Sequence, residues 1–413
     1  MYLKCVSCGK HYLPEQLIYT CPDCGLLKGT LEVHYDLDKI KQSQLLTKKK
    51  LKENYNFNLW RYLPILPIER PDLIISLQVG WTPIYRSPKL EELLSLQSVW
   101  VKNDGQSPTG SFKDRASAVA IVKAQEIGAT TVTAASTGNA ASSWSAFAAL
   151  AGLKNVIFVP ENIPKAKIAQ LLVYGAKVAI VQDNYDAAFD LCYQASQKWG
   201  WYNRSTAINP YLAEGKKTAA LEICEQLEWN IPTHIIVSVG DGNIIQAMWK
   251  GFKEFYTLGL IDNLPQMIGV QAEGAAPLVE AAKKNQMLFE PIKPETIADS
   301  IAVGIPRDGV KALKAVKESK GMWLSVCDRE ILDAIPLLAT STGVLAEPSA
   351  AAAMAGLLKL VKQEKMSIHD RVVVMATGHG LKDINMLMKS VANSPISVKN
   401  NLDDIENKFS FLF

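Results

Sequence analysis

The chain has 413 residues, enough for two or more domains around a sizeable core. Apolar residues make up 48% and charged residues 21%, and a formal net charge of +3 gives no electrostatic case for nucleic acid or an anionic membrane as partner. No run approaches the roughly 18 apolar residues of a membrane-spanning helix, and Met1-Tyr2-Leu3-Lys4-Cys5 lacks the apolar stretch of a signal peptide. A cytoplasmic protein is expected.

The first thirty residues differ from the rest. Cys5-Val6-Ser7-Cys8-Gly9 and Cys21-Pro22-Asp23-Cys24-Gly25 form two CxxC knuckles separated by twelve residues. Such turns place four thiolates at the corners of a tetrahedron, which suits Zn²⁺. The glycine after each knuckle permits a tight turn whose amides point at the sulfurs. Residues 1–30 therefore read as a zinc ribbon with Cys5, Cys8, Cys21 and Cys24 as ligands. Four protein ligands leave no open position, so the metal is structural. Cys192, Cys224 and Cys327 lie singly in apolar runs and read as small core residues. The basic stretch Lys48-Lys49-Lys50-Leu51-Lys52 reads as a solvated helix face.

From about residue 98, strand and helix patterns alternate. Short Val- and Ile-rich runs predict strands at 99–103, 130–135, 155–160, 177–182, 234–240, 267–272, 322–327 and 371–377. Helices are predicted between them, among others at 113–127, 184–200, 218–229, 244–259 and 349–362. This alternation implies an α/β protein with open parallel sheets, and the strands are too many for one compact sheet. Two α/β domains with a cleft between them are expected. In open parallel sheets, ligands bind beyond the carboxyl ends of the strands. Four loops at such places carry unusual chemistry.

The first is Ser107-Pro108-Thr109-Gly110-Ser111-Phe112-Lys113-Asp114-Arg115. Pro and Gly fix the turn, Ser111 can cap a helix, and Lys113 begins it. The helix dipole disfavours a cation there, which lowers the lysine pKa and frees the amine for Schiff-base chemistry. A surface lysine on an exposed first turn is the alternative. The second loop is Ser136-Thr137-Gly138-Asn139-Ala140, a helix N-terminal turn able to bind a carboxylate or phosphate, or a simple N-cap. The third is Val239-Gly240-Asp241-Gly242-Asn243-Ile244, whose two glycines suggest a phosphate cradle of backbone amides. A dinucleotide site competes, with Glu273 near the end of the next strand, but Ile245 stands where GxGxxG needs its third glycine. The fourth is Ala376-Thr377-Gly378-His379-Gly380-Leu381-Lys382-Asp383, where a strand-end hydroxyl could meet a ring nitrogen. His379 invites a general-base reading, against a supporting or phosphate-facing histidine.

Together these loops resemble the threonine synthase group of pyridoxal-phosphate (PLP) enzymes, fold relatives of tryptophan synthase β. The resemblance runs from Gly80-Trp81-Thr82-Pro83 to Gly378-His379-Gly380-Leu381-Lys382-Asp383, and its most specific part is Pro108-Thr109-Gly110-Ser111-Phe112-Lys113-Asp114-Arg115. It implies that Lys113 holds PLP as a Schiff base and shuttles protons. It further implies that Asn139 meets the pyridine O3′, that Gly240, Asp241, Gly242, Asn243 and Ile244 cradle the cofactor phosphate, and that Thr377 meets the pyridine nitrogen. Ser136, Thr137, Gly138 and Asn139 would hold the substrate carboxylate. The implied reaction converts O-phosphohomoserine and water to threonine and phosphate. The implied organisation is a large PLP-binding domain from 31–115 and 214–413, and a small domain, 116–213, carrying the Ser-Thr-Gly-Asn loop. A monomer or homodimer is expected, with a small-molecule amino-acid substrate as partner.

Two departures from the group's pattern bear on the substrate. Many threonine synthases carry Arg and Gln within the segment that here reads Asn209-Pro210-Tyr211-Leu212-Ala213-Glu214-Gly215-Lys216-Lys217-Thr218; Leu212 and Lys216 occupy those places. The phosphate loop is shorter than Gly-Asn-Ala-Gly-Asn, and the Asp241 side chain is expected to face away from the phosphate. Lys216, Lys217, Arg115 and Arg307 are the candidates for replacement phosphate contacts. A related β-replacement or elimination enzyme, such as a cysteate synthase or a threonine dehydratase, is the alternative.

Overall fold

The computed structural model describes residues 1–14, 19–161, 165–183, 185–206, 208–392 and 394–412. The cysteine-bearing segment folds as a three-stranded antiparallel sheet of β1 (Tyr2–Cys5), β2 (His11–Tyr12) and β3 (Leu31–His34), with β1 central. Alternation along β1 and β3 buries Leu3, Cys5, Leu31 and Val33 on one face.

A short β4 (Ile84–Arg86) runs antiparallel to β5 (Ser98–Asn103) at the edge of a six-stranded sheet. A separate four-stranded sheet holds β6 (Thr131–Ala135), β7 (Lys154–Pro160), β8 (Lys177–Val181) and the two-residue β9 (Tyr202–Asn203), ordered β8-β7-β6-β9 and parallel throughout. The larger sheet is completed by β10 (His234–Ser238), β11 (Gln266–Ala272), β12 (Met322–Val326) and β13 (Arg371–Ala376) in the order β12-β11-β10-β13-β5-β4. Its strands other than β4 are parallel, as expected for runs buried on both faces. Val99, Val101, Ile236, Ile268, Val372 and Val374 turn one way into a core with the alanine-rich helix Pro348–Lys362. Ile235, Val237, Met267, Val373 and Met375 turn the other way, toward the helices Leu212–Gln226 and Asn243–Thr257.

The predicted strand at 177–182 and helix at 184–200 correspond to β8 and Tyr185–Trp199; residue 184 lies outside the described residues. The helix predicted at 218–229 begins six residues earlier, at Leu212. The lack of a side chain at Gly215 is what the packing requires. A Cβ at Gly215 would lie 1.8 Å from the Arg115 carbonyl oxygen, so glycine lets this helix press against the helix Lys113–Glu126. Among the described residues, no helix is long and apolar enough to cross a membrane.

Candidate active site

Lys113 opens the helix Lys113–Glu126. The loop before it is tied down on both sides. Phe112 N donates to the Thr377 carbonyl at 2.9 Å, joining the loop to the end of β13. Asp114 accepts from Thr109 N at 2.7 Å and Thr109 Oγ1 at 2.5 Å, which closes the turn with a carboxylate in the first helical turn. The Lys113 side chain is thereby delivered to the wall of a cavity of about 530 Å³ beyond the carboxyl ends of β6, β10 and β13.

Desolvation in this cavity lowers the Lys113 pKa from its ordinary range, and the Arg204 charge adds to the effect. The carboxylates of Glu347 and Asp241 oppose it. The neutral amine is therefore favoured chiefly by the cavity's poor solvation, whereas the sequence pointed only to the helix terminus.

Ser136, Thr137, Gly138 and Asn139 line the same cavity at the start of the helix Asn139–Leu150. Asn139 is buried, and its Nδ2 donates to Glu347 Oε1 at 2.8 Å. Facing this turn, Gly240, Asp241, Gly242, Asn243 and Ile244 line the cavity between β10 and the helix Asn243–Thr257. Gly242 has φ +87°, and a Cβ there would meet the Ala312 Cβ at 2.7 Å. The turn thus needs glycine for both conformation and space. Asp241 accepts from the backbone N of Arg307 at 3.3 Å, so its carboxylate is turned toward the 307 segment while the residue stays on the cavity wall. Burial pushes its pKa up, against the pull of Arg307. Thr377 completes the set at the end of β13.

Two expected phosphate contacts are placed elsewhere. Lys217 is buried between Glu214 and Glu254, 2.6 Å from each, because adjacent helix residues point in different directions and only Lys216 faces the cavity. Arg115 is fully buried against Asp104 at 2.6 Å and Glu222 at 2.5 Å, in a cluster that Lys102 joins. Arg307 does reach the cavity. Its guanidinium lies 3.7 Å over the Phe189 ring and 3.2 Å from Asp186, linking the two sheets' layers across the opening. His379 lies off the cavity wall; its Nδ1 accepts from Leu381 N at 3.2 Å and caps a short helical turn.

The sequence reading missed Arg204, Ser238, Glu347 and the 299–305 segment, all on the cavity wall. Glu347 stands just before Pro348 at the start of its helix, outside the helix predicted from 349, and an acid before a proline reads as an ordinary helix start. Arg204 follows a two-residue strand that left no pattern to read.

The cavity suits PLP. It offers a poorly solvated amine, a glycine turn at a helix N-terminus, and the Ser238 hydroxyl, which is buried without a hydrogen-bond partner among the described residues. Away from it, Cys5, Cys8, Cys21 and Cys24 bring their sulfurs within 4.8 Å of one another, a cluster that could hold a metal ion.

Residues 75–378 match the family model described as pyridoxal-phosphate dependent enzyme. A threonine synthase of Methanocaldococcus jannaschii is 42% identical over 401 residues, covering 97% of each chain. One from Methanosarcina acetivorans is 40% identical over 98% of this chain and 97% of the relative. Among solved structures, a threonine deaminase isoform from Solanum lycopersicum superposes with TM-score 0.65 at 19% identity, over 88% of this chain and 95% of its own. A pyridoxal 5'-phosphate-dependent aspartate racemase superposes with TM-score 0.66 at 22% identity, over 83% and 98%. These distant structures bear on the fold, and the near-full-length relatives on the branch within it. The chain belongs to the pyridoxal-phosphate-dependent enzymes, in the threonine synthase family.

Proposed function

We propose that this lyase converts O-phospho-L-homoserine and water to L-threonine and phosphate, with Lys113 as its catalytic residue. The observation that carries the reading is the Lys113 amine, its pKa lowered by burial in a cavity that also has a helix N-terminal turn on either wall, at Ser136–Asn139 and at Gly240–Asn243. Bound PLP supplies the electron sink that makes the substrate's Cα and then Cβ protons labile. Lys113 would hold the cofactor, and its amine would take protons from Cα and Cβ and deliver protons to Cγ and Cα, while phosphate leaves from Cγ with the proton of the water whose hydroxyl adds at Cβ. The amides and hydroxyls of Ser136 to Asn139 hold the substrate carboxylate at a helix N-terminus. Gly240 to Ile244 cradle the cofactor phosphate, Asn139 meets the ring hydroxyl and Thr377 the ring nitrogen. A hydroxyl at that last position, where an acid could have stood, leaves the ring nitrogen short of full protonation.

Arg204 and Arg307 are the cations for the departing substrate phosphate, both being on the cavity wall. Leu212 is buried and off that wall, so position 212 supplies no charge to it. That departure keeps a second reading in view, a β-replacement or elimination enzyme such as a cysteate synthase or threonine dehydratase. Purified protein is offered phosphohomoserine, phosphoserine with sulfite, and threonine in separate reactions. Threonine and phosphate formed in equal amounts from the first supports the assignment; phosphate without threonine, or turnover only of the others, contradicts it.

The four-cysteine cluster is read as a structural Zn²⁺ site, supported by its all-thiolate donor set. A cytoplasmic location goes with that reading, since four thiolate ligands stay reduced and metal-ready in a reducing compartment.

A further inference from the structure

Lys216 is 2% exposed, borders the cavity, and donates from Nζ to Asn243 Oδ1. Asn243 is the first residue of the 15-residue helix Asn243–Thr257, immediately after the Gly240-Asp241-Gly242 turn. First-turn amides have no intrahelical acceptor, and they carry the positive end of the helix dipole. An ammonium held against that end is repelled by it. Burial holds Lys216 well below its ordinary range, and the like charges of Lys113 and Arg204 add to the effect.

The nearby acids do not cancel this excess. Asp308 accepts from Asn243 Nδ2 and pairs with Lys311 at 2.6 Å. Asp241 is turned toward the Arg307 amide at 3.3 Å. A buried cation set against a helix N-terminus is stabilised by an anion lying between the two.

We propose that Lys216 is a direct ligand of the cofactor phosphate, its ammonium aimed by Asn243 to close the Gly240–Asn243 cradle. The substrate also carries a phosphate, but Lys216 is fixed by a residue of the cradle and not by the Ser136–Asn139 turn. Backbone amides supply partial charge only, and Lys216 supplies a full one. The helix Leu212–Gln226 thus turns one of two adjacent lysines to the ligand and the other, Lys217, to a structural ion pair. The inference rests on the reading of Gly240–Asn243 as the phosphate cradle.

Apoprotein of the wild type, Lys216→Gln and Lys216→Arg is titrated with PLP and with pyridoxal, which lacks the phosphate. Binding is followed by the visible absorption of the Lys113 adduct. Loss of one charge-assisted contact weakens PLP about 10- to 100-fold in Lys216→Gln. Pyridoxal binding is expected to stay within about twofold, and Lys216→Arg to recover most of the loss. With saturating PLP, the KM for phosphohomoserine is expected to stay within about threefold in Lys216→Gln. Unchanged PLP affinity, equal loss for PLP and pyridoxal, or a rise confined to the substrate KM each overturns the proposal; the last assigns Lys216 to the substrate phosphate. Should the Gln variant not fold, the Arg variant decides: it must bind PLP more tightly than pyridoxal by the wild-type margin. A wild type that binds PLP no better than pyridoxal indicts the cradle itself and not Lys216.

Discussion

Glu347 Oε1 accepts a 2.8 Å hydrogen bond from Asn139 Nδ2, joining the start of the helix Pro348–Lys362 to the start of the helix Asn139–Leu150 across the cavity. Burial raises the Glu347 pKa, while Asn139 and Lys113 pull it down. Glu347 thus orients the amide assigned to the cofactor's ring hydroxyl. Glu347→Ala strands the buried Asn139 donor, at a cost of about 1–3 kcal/mol. We expect a lower denaturation midpoint and a reduced kcat in Glu347→Ala, with both largely restored in Glu347→Gln, which keeps a carbonyl acceptor. Wild-type stability and kcat in the alanine variant would falsify this role.

Arg115 was a candidate for gripping phosphate and is instead the centre of a buried ion cluster with Asp104 and Glu222. Removing it leaves Asp104 without a countercharge in the core and Glu222 paired with Lys102 alone. Arg115→Met is expected to lose about 3–5 kcal/mol of stability, read by denaturant titration. A variant as stable as the wild type but with a raised substrate KM would return Arg115 to the substrate site.

The thiol cluster is expected to bind one zinc per chain, measured by elemental analysis. The ribbon and the strand after it meet the rest through Tyr35, which donates to Glu214 Oε2 at 2.7 Å, through Lys250, which donates to the Val33 carbonyl, and through Tyr19, whose hydroxyl accepts from Asn203 N at 3.1 Å. None of Tyr19, Val33, Tyr35, Asn203, Glu214 and Lys250 lines the cavity. Chelation should raise hydrogen exchange in residues 2–34 and leave the PLP absorption in place. Loss of the cofactor band on chelation would mean that the metal supports the cavity directly.

The depressed Lys113 pKa makes a prediction about pH. Between that lowered value and the ordinary 10.5, the folded chain holds a neutral amine while the unfolded chain holds a protonated one. The unfolded state binds more protons at this group, so the Lys113 contribution to apoprotein stability rises with pH across that window, against buried thiols such as Cys192, whose raised pKa acts with the opposite sign. Lys216 and Lys102, also lowered by burial, act with the same sign as Lys113. Lys113→Met should therefore flatten the rise that these lysines contribute without abolishing it. Denaturant midpoints at several pH values measure the slope, and an unchanged slope in the variant would count against a depressed Lys113.

Much of the fold was legible because buried parallel strands write themselves as Val and Ile runs, as in β10 and β13. The short β4 and β9 left no such trace, and neither did the early start of the helix at Leu212. The βα loops were legible for a related reason: a glycine turn before a helix, as at Gly240 and Gly242, is a local requirement. Contacts made between distant segments were not. Nothing near Glu347 or Arg204 in the sequence says that the two share a cavity with Lys113. Lys216 and Lys217 looked equivalent as letters, and only the rotation of the helix separates them.

The Lys113 attachment is the most direct point of attack. Holoprotein reduced with borohydride and digested is analysed by peptide mass spectrometry, with Lys113→Ala in parallel. The pyridoxyl group should be found on the peptide carrying Lys113 and be absent from the variant. Label on another lysine, or none in the wild type, would contradict the account.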